Sequence, residues 1–249
     1  MFEATLNEIP LLRDSIAVIS ELIDEAELHV KAGGLKMLAA DRAVVAVVDF
    51  FLSKDVFSEY IYDSDSRFGI NMEKFLQVLK RAKDDDILKI KLEEGKLNLI
   101  LSGSQHTRKF AIPLIDVSRE ETPPLDKLSF PASLKINAGI LNNGIEDAEL
   151  VADSIVFTVR KDQLMMKAES DSSSAQLELP SGTESLKIID IGEPVRARYS
   201  LDYLKKMIKA RKLSDEATIS MATDYPMKLG FSLPGKMQMD FILAPRVEE

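Results

Sequence analysis

The chain has no cysteine and only two histidines, His29 and His106. Without thiols it forms no disulfide and no thiolate metal site, a composition that suits a reducing cytosol. Both histidines are isolated from partners at metal-ligand spacing, so neither a metal site nor an imidazole general base is expected. No G-x-G-x-x-G, Walker, G-x-S-x-G or H-E-x-x-H motif occurs, and no nucleophile stands beside a base. Catalytic residues, metals and cofactors are therefore expected to be absent. No apolar run approaches a membrane span, and the opening MFEATLNEI lacks the basic and apolar regions of a secretory signal. A cytoplasmic protein with no membrane partner is expected.

What is present is organised around residues 116–129, DVSREETPPLDKLS. Charges, a double proline and little apolar periodicity mark a surface linker. On either side lie halves of similar length, 1–115 and 130–249, each large enough for its own core. They repeat each other. At an offset of 129 residues Val30, Leu35, Met37 and Ala39 meet Val159, Leu164, Met166 and Ala168. The same offset places Met72, Phe75, Val78, Leu79 and Lys80 on Leu201, Leu204, Met207, Ile208 and Lys209. Two runs in one register argue for a duplicated domain.

Apolar spacing predicts a strand over 2–6 and a helix over 9–22, capped by Asn7 with Pro10 in its first turn. A hairpin across Gly33-Gly34 and a continuous apolar strand over 44–52 follow. Asn71 caps a second helix, 72–83, which Asp84-Asp85-Asp86 ends. That acidic run reads as a helix-to-strand turn, against the alternative of a hard-cation site. Further hairpins turn at Glu94-Gly95, at 161–163 and at Pro234-Gly235. The second half has helices over 138–151 and 201–212. Many antiparallel strands with two helices per half indicate an α+β class.

Charge carries the functional signal. The whole chain is at −9. Residues 72–83 and 201–212 together hold nine basic residues against two acidic ones, a net of +7 that leaves −16 on the remainder. One lysine-rich helix face is ordinarily just solvated. Two related helices, both basic in an acidic chain, point instead to a polyanion.

At this point the sequence resembles the sliding clamps of the proliferating-cell-nuclear-antigen type, the archaeal ones most of all. MFEA at the start, LIDEA, LAADRAVVAVV, FGINMEKFLQVLKRA, PLIDV and the C-terminal ILAPRVEE carry the resemblance, which runs from end to end. It implies a DNA-clamp fold: two similar domains, each with two helices on antiparallel sheet, in a trimeric ring with helices lining the hole. It implies a processivity factor without catalysis that encircles double-stranded DNA and tethers DNA polymerase, with clamp loader, flap endonuclease and DNA ligase as further partners in replication and repair. A nucleoid-associated homotrimer follows, with one subunit of a heterotrimer as the alternative. An acidic α+β protein-binding module or enzyme is the reading outside the family.

The resemblance also assigns residues. Arg13, Lys80, Arg81, Lys83, Lys205, Lys206, Lys209 and Arg211 would face DNA. Ala40, Val44, Val45, Val47, Val117, Pro226, Ile242, Ala244 and Pro245 would wall a pocket for partner peptides, with the backbone of Val247 and Glu248 adding a strand. Phe110, Ala148, Val151, Ala175 and Leu177 would form the subunit interface. Two features depart from the family. The third helix offers Asn142, Asn143, Glu146, Asp147 and Glu149 in place of basic residues, with Gly144 in mid-helix. The linker has Thr122-Pro123-Pro124 where a larger apolar residue is common.

Overall fold

The computed structural model describes residues 1–117 and 125–247. The chain forms two compact units. The first takes Met1–Arg42, Val48–Thr122 and Leu233–Met239; the second takes Ala43–Val47, Pro123–Ser232 and Asp240–Glu249.

Chain order in the first half is β1 (Phe2–Leu6), α1 (Pro10–Ile19), β2 (Glu25–Lys31), β3 (Gly34–Ala40), β4 (Ala46–Ser53), β5 (Glu59–Tyr62), β6 (Ser66–Asn71), α2 (Met72–Leu79), β7 (Ile87–Glu93), β8 (Lys96–Ser102) and β9 (Thr107–Pro113). Strict alternation buries Phe2, Ala4 and Leu6 on one face of β1, and Leu97, Leu99 and Leu101 on one face of β8. The sheets run β5-β1-β7-β8-β9 and β4-β3-β2-β6. Leu12, Ile16 and Ile19 of α1 and Met72, Phe75, Leu76 and Leu79 of α2 turn their apolar stripes inward.

The second half gives β10 (Ala132–Asn137), α3 (Ala138–Glu149), β11 (Ser154–Val159), β12 (Gln163–Glu169), β13 (Ser174–Pro180), β14 (Leu186–Ile191), β15 (Val195–Ser200), α4 (Leu201–Met207), β16 (Glu216–Met221), β17 (Met227–Leu233) and β18 (Met237–Leu243). Its orders, β14-β10-β16-β17-β18 and β13-β12-β11-β15, reproduce the first set strand for strand. The equivalenced Val30 and Val159, Leu35 and Leu164, and Met37 and Met166 are all buried. An α+β fold with two similar domains is therefore what the chain forms.

Several boundaries differ from expectation. The N-cap of α1 is Ile9, without a side-chain bond, and Asn7 instead accepts from the Ser58 hydroxyl at 3.4 Å. Proline takes the first helical position, where its missing N–H would have had no partner within the helix and its fixed φ suits the turn. The apolar run from Val44 is not all strand: β4 begins at Ala46, and Val44 sits at φ +54°. Helix α2 stops at Leu79, four residues short of the expected end. Arg81 and Ala82 donate to the carbonyls of Val78 and Leu79 at 2.9 and 3.1 Å, so the last turn tightens and the chain leaves the helix. Its counterpart α4 does likewise, passing into a 3-10 turn over Ile208–Lys212. Thr122-Pro123-Pro124, within linker residues 118–124, and Glu248 lie outside the described residues.

Candidate functional site

The basic residues cluster where the helices end. Asn71 caps α2 by accepting from the Lys74 amide at 3.0 Å. Lys80 is the last capping residue of that helix, and Arg81 and Lys83 follow on the turn; all three are exposed. In the second unit Lys209 and Arg211 are exposed on the 3-10 turn, while Lys205 and Lys206 are half-buried on α4. Lys205 is ion-paired with Glu149 of α3, and the ammonium of Lys206 lies 5.8 Å from the centre of the Tyr203 ring. Arg13, half-buried on α1, pairs with its neighbour Asp14 at 2.9 Å. The carboxylate raises the affinity of the Arg13 guanidinium for its proton. Lys80 and Lys209 thus occupy equivalent places in the two repeats, directly after the buried Leu79 and Ile208.

Helix α3 presents Asn143, Glu146, Asp147 and Glu149 outward. Its Gly144 is set by packing: a Cβ there would come within 2.7 Å of Leu177 Cδ2 and 2.9 Å of Met166 Cε. The helix therefore lies hard against β12 and β13. The sequence showed the glycine but not its reason. On the same side Ala148 is buried, while Val151, Ala175 and Leu177 are partly exposed. In the four-stranded sheet β13 is an edge, paired only with β12 through registers such as Met166↔Leu177. Strand β9 is likewise the edge of its five-stranded sheet, with Phe110 opposite Leu99 of β8 and partly exposed.

Within the second unit the C-terminal segment lies along Val45, where the Ala244 amide donates to the Val45 carbonyl at 2.9 Å. Val47 and Ile242 are buried; Val45, Pro226, Ala244 and Pro245 are partly open, and Val44 is 48% exposed. A β-branched residue at positive φ is costly and needs surrounding structure to hold it. Pro226 follows Tyr225, whose carbonyl accepts from the Tyr199 hydroxyl at 2.8 Å and whose ring meets Phe130 edge-on at 6.1 Å. Beyond Pro245 the Arg246 amide donates to the Arg198 carbonyl at 2.8 Å, and its guanidinium holds Asp153 at 2.7 Å. That cation keeps the Asp153 carboxyl below its ordinary range.

Ala40 and Val117 belong to the first unit. Ala40 ends β3, partly exposed. Val117 follows a short bridge in which the Ile115 amide donates to the Gly69 carbonyl at 3.0 Å. A Cβ at position 69 would lie 2.3 Å from the Ile115 carbonyl oxygen and 2.7 Å from a Val117 methyl, so only glycine fits. Sequence reading missed this bridge, because an isolated glycine in a strand signals close backbone approach without naming the partner.

Residues 1–120 match the family described as proliferating cell nuclear antigen, N-terminal domain, and residues 125–246 match its C-terminal domain. Over 249 residues the chain is 34% identical to the DNA polymerase sliding clamp of Methanothermobacter thermautotrophicus, covering all of this chain and 99% of that one. The DNA polymerase sliding clamp of Pyrococcus furiosus is 35% identical over 235 residues, 94% of each. The crystal structure of PCNA from Thermococcus kodakaraensis superposes with a TM-score of 0.89 at 28% identity, covering 99% of this chain and all of that one.

Proposed function

This chain belongs to the proliferating cell nuclear antigen family, and from that premise we propose that it is a DNA polymerase sliding clamp, a non-catalytic scaffold that encircles duplex DNA on the nucleoid. Residues 1–115 and 130–249 are its two clamp domains and 116–129 the connecting loop. Three copies close a ring by edge pairing of β9 with β13, through Phe110, Ala148, Val151, Ala175 and Leu177. The edge strands β9 and β13 lie on the same chain, so copies of this one chain can close the ring by pairing one with the other.

The observation that carries this reading is the repeated basic helix end in a chain of −9. A ring that slides must attract phosphates without reading bases, which exposed Lys and Arg do. Lys80, Arg81, Lys83, Lys205, Lys206, Lys209 and Arg211, with Arg13 beside them, supply that attraction. The acidic remainder repels DNA from other surfaces. Closure then gives residence time while single contacts stay weak. Polymerase, clamp loader, flap endonuclease and ligase dock short peptides on Val44, Val45, Val47, Pro226, Ile242, Ala244 and Pro245. Peptide backbone pairs with Val247 by strand addition.

The test is retention on loaded circular DNA. Loaded protein should stay with a nicked circle in moderate salt and be lost when the circle is linearised. Lys80→Glu/Lys209→Glu should fall off faster and support less processive synthesis, with the trimer intact. Equal retention on circles and linear duplex would end the clamp reading.

A further inference from the structure

The helix α2 ends early, and the residues that follow are built around a buried acid. The Asp86 side chain is 0% exposed, and the Arg108 side chain beside it only 21%. Three bonds converge there. The Lys83 amide donates to Asp86 Oδ2 at 2.7 Å. Arg108 Nη2 donates to the same oxygen, and Arg108 Nη1 donates to the Arg81 carbonyl at 2.7 Å. The Asp86 amide closes the loop by donating to the Lys83 carbonyl at 3.1 Å. Room for the carboxylate comes from Gly103, where a Cβ would stand 2.9 Å from Asp86 Oδ1. The backbones of Arg81 and Lys83 are thus each fixed by one member of a single ion pair. Their side chains are left exposed.

We propose that Asp86 and Arg108 are positioning residues for DNA: they hold the turn that presents Arg81 and Lys83, and they reference it to the edge strand β9, which carries Arg108. The inference rests on the clamp reading above and deepens it. A guanidinium suits the role because its planar fork bonds a carboxylate and a carbonyl at once. Mobile lysines and arginines on an unpinned turn would still be cationic, but they would spend conformational entropy on each phosphate contact. The pinned turn has lost that freedom on folding. The pair also joins two tasks in one place, since the strand expected to meet the next subunit carries the residue that shapes the DNA-facing turn.

Removing one partner alone would strand a buried charge, so the decisive variant replaces both with apolar residues of similar size, Asp86→Leu/Arg108→Met. Binding of the protein to a short fluorescent DNA duplex is measured by anisotropy across a salt series, with light scattering confirming equal mass. Arg81→Ala/Lys83→Ala should reduce the slope of log affinity on log salt by on the order of one to two, the value for two phosphate contacts. Asp86→Leu/Arg108→Met should weaken binding by most of the same factor although both cations remain. Combined, the four changes should weaken binding no further than the alanine pair does, because coupled residues are not additive. A purely structural role would instead add to the alanine effect, and full additivity overturns the inference. So does wild-type binding in the apolar pair. If the apolar pair fails to fold, Arg108→Lys decides by the same criterion, since lysine keeps the charge beside Asp86 without the fork. If Arg81→Ala/Lys83→Ala binds normally while Lys80→Glu/Lys209→Glu does not, this turn does not face DNA: the inference falls and the clamp reading stands.

Discussion

Side chains at the C-terminal segment show how single residues divide between packing and recognition. In β4 the even positions Ala46, Val48, Phe50 and Leu52 are buried in the sheet interior, so Val47 and Asp49 lie on the opposite face, and Val45 stands just before the strand, partly open. We expect Val45→Glu/Pro245→Glu to abolish binding of a peptide with one aliphatic and two aromatic anchors in calorimetry. The trimer and its hold on DNA should be unchanged, because the buried anchors carry most of the affinity. Unchanged peptide affinity would move the partner site elsewhere. A second expectation concerns alkaline pH. Burial pushes the Tyr60 phenol up to about 12, and it raises Tyr199 as well. An unfolded tyrosine ionises near about 10. The folded protein therefore keeps its protons longer than the unfolded chain does. Its stability is complete below about pH 10 and falls as pH climbs through the folded values. Denaturant midpoints should drop as the pH rises from about 10 to about 12, and by less in Tyr60→Phe, which cannot ionise. An equal drop in that variant would assign the loss to other groups.

At the level of elements, edges and ends matter more than cores. β9 and β13 each use one side of their backbone within the described residues, and an unpaired strand edge is either covered or liable to aggregate. Phe110 lies on β9, partly exposed, between Lys109 and Ala111. Phe110→Asp should give folded monomers, seen by sedimentation, with the melting temperature of the isolated subunit little changed. A charge at the edge repels a second strand without entering the buried core of β8. A trimer surviving in Phe110→Asp at micromolar concentration would place the subunit contact on another edge. Helix ends repeat the theme. Both α2 and α4 tighten into 3-10 geometry, which brings the cations off the helix cylinder and onto short turns.

For the whole molecule, charge is separated: +7 on two short stretches, −16 on the rest. That much was legible in the sequence, as were the duplication, the α+β class and most hairpins. Apolar period and turn residues are local properties, and Gly95 and Gly235 at positive φ stand where the hairpins were expected. The places where local reading failed share one cause. Asn7 is taken by Ser58, 51 positions away, and α2 ended at Leu79 because the chain beyond it folds back on Asp86. Gly69 and Gly144 are required by a carbonyl and a leucine distant in the chain. The ion pair of Asp86 with Arg108 spans 22 positions, and that of Asp153 with Arg246 spans more than half of the second domain. Periodicity tells which face of an element is apolar and where it turns. Which backbone approaches which, and which buried charge meets which, depends on segments brought together only by the tertiary fold, and that is where the basic turn acquired its shape.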